Sequence, residues 1–180
     1  PVSMHGVGLS LGGGDPLDAR HLADLKRLVD RFNPAMVSEH IAWSSHEGLY
    51  MADLLPTPMT KTSLDHLVAA IDTVQSHIAR RILIENPTSY LPLPQNSISE
   101  LDFIIEAARR SGCGLLIDVN NIYISAHNLG FDAEAFVDGI PADLVGEVHL
   151  AGHERDANDQ DSILIDTHSR PVADPVWALF

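Results

Sequence analysis

Apolar periodicity switches repeatedly between strand-like and helix-like along the 180 residues. Strand-like runs cover residues 1–8, 35–43, 81–85, 114–119, 144–150 and 163–167. Leu22, Leu25, Leu28, Val29 and Phe32 form a helical stripe within 20–32. Leu64, Leu67, Val68, Ile71, Val74 and Ile78 form a second within 63–80. Ser97 and Glu100 have capping-box spacing ahead of a helix to residue 110. Asp132 can cap a short helix to residue 137. The strand-like runs are almost continuously apolar, as expected of strands covered on both faces. Parallel strands need helical crossovers of this kind. An α/β fold follows, either an open doubly wound sheet or a TIM (β/α)8 barrel. Residues 44–62, with Pro56 and Pro58, and the acidic stretch 154–161 read as long loops.

The polar residues decide between the two architectures. The first strand ends at His5, the second at Glu39-His40 and the third at Glu85-Asn86. The fourth ends at Asp118, followed by Asn120 and Asn121. The fifth carries Glu147 and His149, with His153 just beyond, and the sixth ends at Asp166 and His168. A barrel gathers such strand ends at one mouth, where active sites of that fold lie, whereas an open sheet spreads them along a line. The barrel is therefore expected. A full one takes about 250 residues. The chain starts at Pro1 and stops at Phe180 within an apolar run, so a single domain, 1–180, incomplete at both ends, is expected.

Composition narrows the function. A net charge of -14 argues against nucleic-acid backbones and anionic membranes as partners. No apolar run is long enough for a membrane helix. No secretory leader is visible, so a cytoplasmic protein is expected. One cysteine, Cys113, excludes an internal disulfide framework and a cysteine-rich zinc site. Ten histidines remain to be placed.

Inward carboxylates and imidazoles are costly to desolvate unless they are paired or bound to metal. Taken singly, each strand-end histidine reads as a hydrogen-bonded structural residue, and each aspartate as a cap. Taken together, six strand ends in register exceed what one acid–base pair needs. A mixed N/O donor set without thiolate suits Zn, Fe, Mn or Co, and Glu85 is placed to bridge two ions. His21, His66 and His77 fall on helices; His46 and His127 fall in expected loops. Gly12-Gly13-Gly14 lacks the Lys-Ser/Thr ending of a phosphate loop. Tyr90, Tyr123 and Trp43 read as core.

The segments MHGVGLSLGGG, SEHIAWS, IENPTSY, LLIDVNNIYISAHN, GEVHLAGH and IDTHSRPV resemble the multinuclear non-heme iron-dependent oxidases. That family, once catalogued as a domain of unknown function, includes the methanobactin biosynthesis oxidase. The resemblance implies a TIM barrel binding two or three iron ions. It also implies dioxygen as co-substrate and oxidation of a residue, often cysteine, of a ribosomally made precursor peptide. A small partner protein often delivers the peptide. Carried over motif by motif, the metal ligands are His5, His40, Glu85, Asp118, His149, His153, Asp166 and His168. Asn121 is a further metal or substrate contact, and Glu39 and Glu147 orient ligating imidazoles or face away from the mouth. The family pattern continues to a later strand carrying another glutamate ligand.

Two other readings stand beside this one. A Zn- or Mn-dependent hydrolase or isomerase of the endonuclease IV/xylose isomerase type gathers similar residues at strand ends. A non-catalytic module would instead bind a partner protein through the long loops.

Overall fold

The structure, a computed structural model, describes residues 1–155 and 163–180. In chain order the strands are β1 (Ser3–Gly6), β2 (Met36–His40), β3 (Ala42–His46), β4 (Leu49–Pro56), β5 (Leu83–Glu85), β6 (Gly114–Asp118), β7 (Val145–His149), β8 (His153–Arg155) and β9 (Leu164–Asp166). The helices are α1 (Ala19–Phe32), α2 (Lys61–Ile78), α3 (Glu100–Ser111), α4 (Val119–Leu129), α5 (Ala133–Asp138) and α6 (Asp174–Leu179).

The main sheet has five parallel strands in the order β1-β2-β5-β6-β7. In a flat sheet, four inter-strand spacings would separate β1 from β7 by about 19 Å. Instead Ser3 Oγ on β1 donates to Glu147 Oε2 on β7 at 2.9 Å. The His5 and His149 rings, on the same two strands, lie 5.1 Å apart. The sheet is therefore curled into an arc whose concave face is a barrel interior. This is an α/β fold with the parallel sheet of an incomplete TIM barrel.

The helices form where their stripes require. Asp18 caps α1, with its side chain accepting from the backbone N–H of Arg20 and His21. The stripe of α2 buries Leu64, Leu67, Val68, Ile71, Val74 and Ile78. Helix α3 is capped by Ser99, whose hydroxyl accepts from Asp102 N, rather than by Ser97. Ile84, Leu115 and Ile117 of the sheet join these side chains in one core.

Four expectations are corrected. Residues 163–167 do not add a sixth parallel strand: β9 pairs antiparallel with β8 in a separate two-stranded sheet. The eight residues between β8 and β9 are too few for a parallel crossover, so this pair closes as an antiparallel ladder. Residues 44–62 are not one loop, because β3 and β4 form an antiparallel hairpin. Its turn is Glu47-Gly48, both at positive φ (48° and 77°), as two-residue hairpins require. His127 lies on α4, not in a loop. The run 114–119 ends as a strand at Asp118, which caps that helix. The acidic loop expected at 154–161 falls, from residue 156 onward, outside the described residues.

Candidate metal centre

Strand register builds the site. Side chains alternate across a strand, so residues two apart share a face. In the ladders, His5 is the partner of Ser38, His40 of Glu85, and Asp118 of His149. Five of the six lie at or next to the C-terminal ends of their strands, and Ser38 stands two residues before the end of β2. The curl turns them toward one cavity of about 550 Å³, lined among others by His5, His40, Glu85, His149, Asp166 and His168. The hairpin closes one side with Tyr50, Ala52, Asp53, Leu54 and Pro56.

Glu85 is the centre of this arrangement. Its side chain is 2% exposed. Its Oε2 lies 2.9 Å from His5 Nε2 and 2.9 Å from His40 Nε2, and its Oε1 lies 3.3 Å from His149 Nδ1. Yet Oε2 makes no hydrogen bond of good geometry. The far nitrogens of both rings are engaged elsewhere. His40 Nδ1 is 2.9 Å from the Gly6 carbonyl oxygen, to which only an N–H can donate. His5 Nδ1 is 2.8 Å from Ser38 Oγ, and that hydroxyl itself reaches the Met4 carbonyl oxygen at 3.4 Å. A neutral ring at either position, with its proton held at Nδ1, keeps Nε2 free of hydrogen beside Glu85, as a metal ligand needs.

Asp118 supplies the second focus. It is fully buried; Oδ1 accepts from Asn121 N at 2.9 Å, and Oδ2 has no partner. Two triads can each surround one cation, His5–His40–Glu85 and Glu85–Asp118–His149, with donor atoms within 4.8 Å of one another. Glu85 belongs to both. The buried partnerless oxygens fit a metal centre, since such atoms are otherwise costly. The 2.9 Å contacts also fit: neighbouring ligands on an octahedral ion with bonds of about 2.1 Å sit about 3 Å apart.

The electrostatics agree. Burial raises the Glu85 pKa, but His149, His40 and His5 outweigh it and hold the carboxyl well below the usual range. Burial disfavours charge on His40, but Glu39, Glu85 and the Gly6 carbonyl push its pKa up to about 10. Burial, with Glu85 and Asp166 nearby, pushes Asp118 up to about 6. A proton and a metal ion answer the same demand here for positive charge among buried acceptors.

The other expected ligands sit differently. Asp166 Oδ1 is 2.8 Å from His168 Nδ1, and His168 Nε2 is 3.9 Å from Asp118 Oδ2. This pair adjoins the second triad. His153 is not among the cavity-lining residues. Its Nδ1 is held by Asn120 Oδ1 at 2.8 Å, and its ring lies 5.2 Å from that of Tyr123. Asn121 lines the cavity, but its amide joins Thr88 Oγ1 at 2.6 Å and the Asn86 carbonyl at 3.0 Å. Glu39 takes the opposite face of β2, accepting from Leu9 N at 3.2 Å and His40 N at 3.0 Å. Glu147 faces the interior one layer below His149, bonded to Ser3.

Sequence reasoning missed Ser38 and Thr88, and named Asn86 and Asn120 at strand ends without giving them a role. None titrates, so none stands out by residue type; the Asn in IENPTSY and the pair in DVNN were the available signal. Tyr90, read as core, instead lines the cavity, and its hydroxyl accepts from Asp166 N at 3.2 Å.

Fold and cavity together define a TIM-barrel-type protein with a candidate metal centre at its mouth. The solved 3-keto-D-glucoside 4-epimerase YcjR from E. coli shares the fold. It has a TM-score of 0.52 and 15% identity, over 84% of this chain and 58% of that one. The chain belongs to the family of RiPP precursor modification enzymes MbnB/TglH/ChrH, whose model matches residues 1–180. It is 52% identical over 180 residues to a UPF0276 protein of Caulobacter vibrioides, covering all of this chain and 64% of that protein. It is 47% identical over 181 residues to a UPF0276 protein of Paraburkholderia phytofirmans, covering 59% of it. The chain thus spans about three fifths of the length of these relatives.

Proposed function

We propose that the protein is an iron- and oxygen-dependent oxidoreductase that modifies a residue, cysteine foremost, of a ribosomally made precursor peptide. The observation that carries this reading is Glu85, a buried carboxylate shared by two donor triads in a chain of the RiPP-modifying family. His5, His40 and Glu85 would hold one ion, Glu85, Asp118 and His149 a second, and Asp166 with His168 would serve a third. When bound, iron supplies one-electron and dioxygen chemistry that side chains lack.

The remaining residues work on geometry. The Gly6 carbonyl and Ser38 fix two ring orientations, and Asn121 N holds one Asp118 oxygen. The hairpin wall, apolar but for Asp53, bounds a cavity large enough for a few side chains of an extended peptide. A small partner protein that presents the peptide, and a cytoplasmic location, belong to the same reading. Among the described residues, no helix is long and apolar enough to cross a membrane.

The test is anaerobic loading with Fe(II), followed by precursor peptide and oxygen, read by mass spectrometry. A mass change in the peptide that requires both iron and oxygen is expected. Bound iron with an unchanged peptide rejects the oxidase reading. Zinc or manganese as the resident metal, with no change on exposure to air, would favour the hydrolase or isomerase reading on the same barrel.

A further inference from the structure

We propose that Ser38 is a positioning residue for the metal centre: its hydroxyl fixes the tautomer of His5 and so decides whether the His5–His40–Glu85 position can hold an ion. This rests on the metal-centre reading above and names a residue that keeps that centre open.

Ser38 and His5 are ladder partners on β2 and β1, so their side chains stand next to each other on the concave face. Ser38 is 2% exposed and cannot exchange its partners for bulk water. Its hydroxyl can donate to the Met4 carbonyl oxygen, 3.4 Å away. With the hydrogen given there, the oxygen accepts from His5 Nδ1–H across the 2.8 Å contact. A ring protonated at Nδ1 presents a bare Nε2, which here lies 2.9 Å from Glu85 Oε2.

The two imidazoles of this triad are held unequally. His40 is fixed by a main-chain carbonyl, which no side-chain substitution removes. His5 depends on one hydroxyl, and its side chain is 28% exposed against 13% for His40. Without that hydroxyl, His5 can carry its proton on Nε2 and turn it onto Glu85 Oε2. That bond satisfies the partnerless oxygen and closes the position against a cation. The Ser38 hydroxyl therefore holds the donors apart from one another and available to metal. A hydrogen bond that orients a ligating imidazole typically governs metal affinity by about 10–100-fold.

The test compares the full chain with Ser38→Ala and Ser38→Thr by anaerobic ferrous titration calorimetry and elemental analysis. Imidazole ¹⁵N spectra of the metal-free proteins accompany them. Ser38→Ala is expected to weaken one ferrous position by about 10–100-fold, to leave the other unchanged, and to move the His5 proton from Nδ1 to Nε2. Ser38→Thr is expected to keep wild-type stoichiometry and the Nδ1–H signature. Wild-type affinity and tautomer in Ser38→Ala would overturn the proposal, as would equal loss in both variants. A wild-type protein that takes up no ferrous ion overturns this proposal and the metal centre together. An iron-loaded wild type that leaves the peptide unmodified overturns the oxidase reading alone.

Discussion

Asn86 and Asp118 meet through a two-point clasp: Asn86 Nδ2 donates to the Asp118 carbonyl oxygen at 3.1 Å, and Asn86 Oδ1 accepts from Asp118 N at 2.8 Å. The side-chain amide imitates one more residue of strand pairing beyond the end of β5. It sets the position of Asp118 against that of Glu85, the residue before Asn86. Both partners are buried, so Asn86→Ala strands two backbone groups without water. Each stranded group costs about 1–3 kcal/mol. A loss of about 2–4 kcal/mol in chemical denaturation is expected, with weaker metal uptake. A loss under 1 kcal/mol would show that the clasp is dispensable.

Glu85→Gln keeps the shape of the central side chain and removes its charge. Both triads share this residue, so both ions should be lost, not one. The metal-free protein should remain folded, because an amide is less costly to bury than a carboxylate. Elemental analysis with a melting curve checks both halves. Retention of one full equivalent would mean that Glu85 does not bridge.

Metal stabilisation should depend on pH with a definite sign. The folded pKa of Asp118, about 6, lies above its ordinary value of 3.8. Its contribution to the metal-free fold is therefore present below pH 3.8 and lost as pH rises through 6. His40, raised to about 10, contributes below 6.5, and its share is lost only as pH rises through 10. Metal binding displaces both protons. The rise in melting temperature on adding manganese should therefore be larger at pH 7 than at pH 5. Equal rises at both values would refute the assignment.

His153 lies outside the cavity lining and is held by Asn120. Asn120 Nδ2 in turn donates to Asp166 Oδ1 at 3.1 Å, so His153 reaches the site only through an intermediary. His153→Gln should leave the two-ion cluster loaded, with wild-type affinity at the Glu85 positions. Loss of either ion would make His153 a ligand in a rearranged site.

Much of this arrangement was legible along the chain. Helix α1, the stripe of α2 and the cap at Asp132 followed from local periodicity and capping chemistry. The strand ends at His40, Glu85 and Asp118 followed from apolar runs that stop at a polar residue. The β3–β4 hairpin was not legible, because Glu47-Gly48 is a weak turn signal and prolines dominate the segment. Helix α4 was hidden because Asp118 serves as both a strand end and a helix cap. Strand β9 looked like another barrel strand, since a three-residue run carries no information about its partner.

The sequence alone determined which donors exist and that they stand at strand ends, because strand side chains alternate with a period of two and apolar runs must end where water begins. Only the tertiary structure decided which donors meet. His5 and His149 come together because the sheet curls, and curvature is a sum of twists over five strands that no single segment encodes. His153 and Asp166 are direct partners in the β8–β9 ladder, yet the cavity takes Asp166 and not His153. Paired residues share a face of the ladder, and both side chains meet Asn120; the strand that packs on α4 is β9, and that tertiary placement separates them.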